Sequence, residues 1–226
     1  SIIMALTKYN FNSFDVTPVA SRGLAFDADA DGFTTATPGA MTLIKTQTIS
    51  SNTATISFIH GTSDVVFDGT YETYIIKLIN IHGDGSGGSN EGPVSINFTT
   101  DGTNFNVTKT SSSFRAQHTE GDGTDFAYTA GDDLAQATGF QPLAQNQKNA
   151  DADAAGCAII HIFSPASTTF VKHFISDAEV VGNGVQAARN FIAGYANTTS
   201  AITGVAFQMA SGNVASGTFK LYGISK

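Results

Sequence analysis

Cysteine and charged residues are scarce in this chain, and each scarcity excludes a class of protein. Only Cys157 among the 226 residues is a cysteine, so no intrachain disulfide can form, and stability must come from a core or from other subunits. Charged residues make up 13% of the chain, about half the ~25% of an ordinary soluble domain. Hydrophobic residues nevertheless reach 41%. This composition excludes disorder driven by charge and low hydrophobicity.

Positive charge and long apolar runs are also missing. The chain has 11 Lys and Arg against 19 Asp and Glu, a formal net charge of −8, which argues against a surface that binds nucleic-acid phosphates. No apolar run approaches the ~20 residues that span a bilayer. Residues 2–6 are too short for the core of a signal peptide. We therefore expect a chain that binds neither nucleic acid nor membrane and carries no export signal.

Apolar residues recur at every second position along most of the chain, whereas helical spacing is almost absent. Residues 53–60 and 94–99 alternate between apolar and small polar side chains, which is typical of a half-buried antiparallel strand. Within residues 71–81, positions 74–79 are apolar at both parities apart from Lys77, which predicts a strand covered on both faces. The sequence predicts a β protein.

Turn residues predict two hairpins. Asp101-Gly102 is a strong turn signal, and residues 105–107 resume the alternation after it. Residues 157–163 and 168–175 form the second predicted pair of strands.

The strands predicted in the second half of the chain are unevenly spread. We expect strands over 187–196, 201–209 and 217–224, but only long loops or a short helix over 119–155. Eight to ten strands at this spacing favour two packed sheets, because each sheet must bury its apolar face. We predict an all-β, jelly-roll-like antiparallel β-sandwich over residues 41–226.

The first forty residues differ in composition and are predicted to form an extended N-terminal docking arm. Its aromatic residues Tyr9, Phe11, Phe14 and Phe26 have no period that would build a sheet. Left alone these rings would be exposed, so we expect them to pack on another chain during assembly.

One acidic stretch resembles the start of a calcium loop. Asp27, Asp29 and Asp31 alternate before Gly32, as carboxylates that converge on Ca²⁺ do. The twelfth position, where a bidentate glutamate belongs, is Pro38, and no helical pattern flanks the loop. A solvated acidic turn is the favoured interpretation, so we expect no tight calcium site and no other cofactor.

Signatures of catalysis are missing. The sequence has no GxSxG, P-loop or CxxC pattern, and Cys157 lies in an apolar run, where a small hydrophobe is the plain interpretation. The five histidines have no metal-binding spacing. They are His60, His82, His118, His161 and His173. We therefore predict no catalytic residues.

Three tyrosines near loops are candidates for ligand contact, since their rings could stack on sugars. They are Tyr71, Tyr128 and Tyr195. Tyrosines that cap a sandwich core have the same sequence pattern, and we favour that interpretation.

Three short segments stand out as motifs: ISF at 56–58, DGTYETYII at 68–76 and SGTFKLYGI at 216–224. Together they resemble virion proteins of tailed phages, especially marine phages. The resemblance implies a virion component: a tail or head fibre, a capsid decoration protein or a receptor-binding subunit for host attachment. It also implies other virion proteins as partners, a host surface glycan as a receptor, and a homo-oligomer, with a trimer favoured by likeness to phage fibres. No catalytic residues come with it.

Two other classes remain open. One is a carbohydrate-binding module and the other is a sandwich-fold glycan hydrolase, whose carboxylate pair would have to come from aspartates.

Overall fold

A computed structural model describes residues 23–26, 33–36, 40–86, 94–145 and 147–225, and these residues form β-strands and no helix. The chain divides into two compact units, residues 1–41 and 42–226. In the first unit, β1 (Gly23–Phe26) pairs antiparallel with β2 (Phe33–Ala36). The predicted arm therefore contains a two-stranded ribbon. None of the described residues forms a helix long and apolar enough to cross a membrane.

Twelve further strands follow along the chain. They are β3 (Met41–Ile49), β4 (Ile56–Ile59), β5 (Thr73–Gly83), β6 (Val94–Thr99), β7 (Lys109–Thr119), β8 (Thr124–Tyr128), β9 (Gln141–Pro142), β10 (Gly156–Phe163), β11 (Lys172–Gly182), β12 (Gln186–Ala196), β13 (Gly204–Met209) and β14 (Val214–Ile224).

These strands make two antiparallel sheets that pack as a sandwich. The large sheet has the order β3-β14-β5-β10-β11-β12-β7-β8, and the small sheet has the order β4-β13-β6-β9. Setting aside β7, β8, β11 and β12 leaves eight strands. Numbered along the chain, these are ordered 1-8-3-6 in the large sheet and 2-7-4-5 in the small one. This is the strand order of a jelly roll, so the predicted fold is confirmed.

The four remaining strands widen the large sheet. β7 and β8 are inserted between β6 and β9, and β11 and β12 between β10 and β13. All four pair side by side beyond β10, and β8 is the last strand of the sheet. The inserted hairpins therefore give this jelly roll one broad sheet surface.

The core lies between the two sheets and is rich in aromatic rings. Phe207 of β13 and Phe219 of β14 are fully buried, with ring centroids 5.3 Å apart. Tyr74, Ile76 and Leu78 of β5 are also buried. The other side of β5 is only partly covered, so the prediction of a strand buried on both faces was wrong.

The first predicted hairpin was also wrong, whereas the second is confirmed. β6 ends at Thr99 and pairs with β13 and β9, while residues 100–108 form no strand. The Asp101 carboxylate accepts the N–H groups of Thr103 and Asn104, at 2.8 and 2.7 Å, and holds the turn without a returning strand. β10 and β11 pair antiparallel as predicted.

Residues 119–155 hold two short strands, β8 and β9, rather than a helix. The strands predicted over 187–196, 201–209 and 217–224 match β12, β13 and β14.

Candidate functional site

Aromatic rings line the outer surface where the large sheet is widened by its inserted hairpins. We define the aromatic face as Phe114 of β7, Phe126 and Tyr128 of β8, and Phe191 of β12. The exposed fraction is 72% for Phe126, 59% for Tyr128 and 38% for Phe114. Large apolar side chains this exposed and this close together make the surface a candidate contact site.

Strand register fixes the arrangement of these rings. Phe114 lies directly opposite Phe191, with ring centroids 4.9 Å apart and ring planes inclined by 18°. Because neighbouring strands are themselves about 4.8 Å apart, the stacked rings stand on edge across the sheet. Phe126 continues the group at 5.7 Å from Phe114, tilted by 56°. The stacked pair therefore presents ring edges outward.

A charged pair closes one end of this group. The Arg189 guanidinium lies 4.6 Å from the centroid of the Phe191 ring and donates two hydrogen bonds to Asp177, at 3.0 and 2.6 Å. The hydrogen bond and charge of Asp177 raise the pKa of Arg189 above its usual value. The guanidinium of Arg189 thus covers one face of the Phe191 ring, and its positive charge is balanced by Asp177.

Tyr128 is held at the sheet edge by a neighbouring acid. Its hydroxyl donates to Asp133 at 2.6 Å, and this hydrogen bond is the main reason that the pKa of Tyr128 is raised. The ring position is therefore fixed although most of the ring is exposed.

Polar side chains on the opposite side of β7 and β8 form hydrogen bonds behind the aromatic face. Ser113 shares a hydrogen bond of 2.6 Å with Thr129, and Arg115 pairs with Asp125 at 2.9 Å. Arg115 also donates to Gln145. Nearby, burial is the main cause that raises the pKa of Asp132 to about 6. Hydrogen bonds on this side of the sheet hold the strands that carry the rings.

The predicted tyrosines separate into two places. Tyr128 belongs to the aromatic face. Tyr195 lies on the side of β12 that also carries Phe191, and its ring centroid is 6.4 Å from that of His173. Tyr71 lies apart from them, partly buried against the core and edge-on to Tyr74 at 5.7 Å.

Most residues predicted for calcium binding and assembly lie outside the described part of the chain. This holds for Asp27, Asp29, Asp31, Tyr9, Phe11 and Phe14, whereas Phe26 lies in β1. Among the described residues, no group of three or more His, Cys, Asp or Glu side chains could hold a metal ion. Cys157 is exposed on β10.

Phe114, Phe126 and Phe191 were missed by the sequence analysis. Alternation over Phe114-Arg115-Ala116 and over Phe126-Ala127-Tyr128 gives a weak strand signal. Nothing local shows that these strands and β12 are neighbours, because this depends on the pairing of distant segments.

A shallow depression of about 460 Å³ at the end of β5 is lined by His82, Asp84 and Asn149 among others. The Asp84 carboxylate already accepts hydrogen bonds from Ser86 and Asn213, at 2.6 and 2.7 Å, which hold the pKa of Asp84 well below its usual range. Asp84 therefore links the loop that contains Ser86 to the loop that contains Asn213.

The aromatic face consists of phenyl and phenol rings, and Arg189 packs on the ring of Phe191 beside it. Aromatic residues and Arg are enriched at protein interfaces. The charge of Arg189 is paired with that of Asp177. Such a surface can bind by apolar contact.

Comparisons of the chain with protein-family models, with curated proteins and with solved structures find no match.

Proposed function

We propose that this chain is a surface protein of a tailed-phage virion, acting by assembly and binding rather than by catalysis. The aromatic face is the observation that carries the proposal, because its exposed rings, at 72% for Phe126 and 59% for Tyr128, lie together in one patch, as at a contact surface. Two arguments by analogy support the phage assignment. The three segments named above resemble virion proteins, and jelly rolls are frequent in viral capsid and lectin domains.

The occupant that we assign to the aromatic face is a second copy of this chain. Phe114 and Phe191 stand on edge and stack on each other, so their ring faces are already used. A sugar stacks on an open ring face, whereas protein side chains pack well against ring edges. This geometry favours a protein partner over a glycan.

Charge supports the same choice. The chain carries a formal net charge of −8, so two copies repel each other on average. Beside the aromatic face the acid Asp177 is paired with Arg189, so these two side chains add no net charge there. This pairing lowers the charge repulsion that contact between copies through the aromatic face meets.

The assembly that we propose is a homo-oligomer, a trimer by the resemblance to phage fibres, held by the aromatic face and by the arm of residues 1–40. Light scattering on the full chain and on a chain that begins at Met41 measures the contribution of the arm. The same number of copies per particle after the truncation would place the whole interface on the sandwich.

The virion assignment is tested separately, by mass spectrometry of purified phage particles whose genome encodes the chain. Detection at a stoichiometry comparable with other particle proteins supports the proposal. Its absence from intact particles overturns the virion assignment and leaves the assembly of the chain to be judged by its mass in solution.

A glycan receptor is the second candidate, favoured by Tyr128, whose exposed ring lies beside the acceptor Asp133. Binding of the chain to host polysaccharide that is lost in Tyr128→Ser would support this role. Release of reducing ends from the polysaccharide would instead indicate a hydrolase.

A further inference from the structure

Lys109, the first residue of β7, is fully buried without a carboxylate partner. Its exposed fraction is 0%, and none of the ion pairs among the described residues includes it. Its Nζ atom donates to the backbone carbonyl of Val107 at 2.7 Å and to the side-chain oxygen of Asn97 at 2.5 Å. Buried ammonium groups normally lie beside a carboxylate, so this environment is unusual.

The Lys109 amine lies within reach of the carboxamide carbon of Asn97. Nζ is 2.5 Å from Oδ1. Because a C=O bond is about 1.23 Å long, Nζ lies no more than about 3.7 Å from Cγ. Reacting atoms held at roughly 3–3.5 Å are in a near-attack position, equivalent to a very high local concentration.

The carboxamide of Asn97 is held on every side. Its Oδ1 atom also accepts the backbone N–H of Phe98 at 2.9 Å. Its Nδ2 atom donates to the carbonyls of Phe105 and Thr138, at 2.5 and 3.0 Å. The Phe98 N–H is placed to stabilise negative charge on Oδ1, as the donor of an oxyanion hole does.

Burial also favours the reactive form of the amine. Desolvation lowers the pKa of Lys109 to about 8, so that a useful fraction is neutral near neutral pH. A neutral amine has a free electron pair, which an ammonium group lacks.

We propose that Lys109 and Asn97 form an intramolecular isopeptide bond that joins the two sheets of the sandwich. The electron pair of the neutral Nζ attacks Cγ, which makes the new C–N bond and moves charge to Oδ1. One proton passes from Nζ to Nδ2, the bond from Cγ to Nδ2 breaks, and ammonia leaves. No oxidant, reductant or second reactant is needed.

No acid assists the step, so it is slow. The described residues place no carboxylate in hydrogen-bond contact with Lys109 or Asn97, and general acid–base catalysis, worth about 10²–10⁴ in rate, is missing. We therefore expect the bond to accumulate after folding, and faster at alkaline pH, where more of the amine is neutral.

Lys172 provides a matched comparison within the same chain. It is also buried, at 1% exposed, and its Nζ atom donates to the carbonyls of Phe170 and Thr198, at 2.9 and 3.0 Å. Both partners are backbone carbonyls, so no side-chain carboxamide is available to it. Lys172 should stay a free amine.

Intact-mass spectrometry of the purified full chain, fresh and after ageing at pH 7 and pH 9, tests the bond. We expect a species lighter by one ammonia that increases with time and faster at pH 9. A tryptic digest of the same sample should contain a branched peptide that joins Asn97 to Lys109. This second measurement needs no variant and does not depend on whether a variant folds.

Three variants complete the test. Lys109→Met should keep the mass calculated from its sequence, because it has no amine at this position. Lys172→Met should still lose ammonia. Asn97→Asp should lose water, because a carboxyl group replaces the carboxamide. A wild-type mass that stays at the sequence value after ageing at pH 9 overturns the proposal. So does an ammonia loss that persists in Lys109→Met, which would place the loss elsewhere, as at Asn183-Gly184.

Discussion

The ring of Phe114 stacks on the ring of Phe191 across two neighbouring strands, with centroids 4.9 Å apart. The two residues face each other because β7 and β12 pair in a register that sets them directly opposite. Both strands run without a register shift over the whole pairing. The aromatic face is therefore part of a regular sheet, and substitutions on it should be separable from those that affect folding.

Stability should depend on the rings between the sheets far more than on the exposed rings. Phe219 is 0% exposed and packs on Phe207, whereas Phe170 is 71% exposed. Phe219→Ala should lower the free energy of unfolding by about 3–5 kcal/mol, through lost burial and a cavity. Phe170→Ala should change it by less than about 0.5 kcal/mol. Urea unfolding of both variants measures the difference, and similar losses would contradict the placement of the core.

Gly194 of β12 should not tolerate a side chain. A Cβ atom there would lie 2.7 Å from the backbone oxygen of Thr110 and 2.7 Å from the ring of Phe174. Gly194→Ala should therefore cost about 1–3 kcal/mol through overpacking. Gly131 has no atom within 4 Å of the same position, so Gly131→Ala is the matched control and should be nearly neutral. Equal melting temperatures for the two variants would show that β7 and β12 are not packed as described.

Regular strands were predictable from the sequence, but their neighbours were not. Residues 157–163 are a short apolar run that a turn signal closes at Ser164-Pro165, and β10 forms there. β8 was missed because its five residues include only two large apolar ones that alternate, and β9 because it has two residues. Asp101-Gly102 makes a turn, but β6 finds its partners in β9 and β13, far along the chain.

The candidate site was predicted only through Tyr128. Its neighbours Phe114 and Phe191 meet through strand pairing between distant segments, which no local pattern in one sequence encodes. The contact between Lys109 and Asn97 is close in sequence, but it forms only because the chain crosses from β6 in the small sheet to β7 in the large one, which no local pattern shows.

Asp132 should make the protein less stable as pH rises. Burial raises its pKa from 3.8 to about 6, so the folded state binds the proton more tightly than the unfolded state does. The stability that protonation provides is complete below about pH 4 and is lost as pH rises through about 6. A shift of about two pKa units corresponds to ~3 kcal/mol for a fully buried group. Asp132 is only partly buried, so solvent screening makes its effect smaller than this.

Asp132→Asn removes this titration. The variant should match the parent near pH 4 and be more stable than the parent above about pH 7, as measured by urea unfolding at both pH values. A variant that is equally destabilised at both would show that the carboxylate is needed as a structural acceptor instead.

Light scattering on Phe126→Ser beside the full-length parent tests most directly the claim that the aromatic face joins copies of this chain. Phe126 is 72% exposed, so its loss should leave the melting temperature almost unchanged, and Phe170→Ser at 71% exposure is the matched control. We predict an oligomeric parent, an oligomeric Phe170→Ser and a smaller mass for Phe126→Ser. A monomeric parent, or a Phe126→Ser variant with the mass of the parent, would contradict the claim.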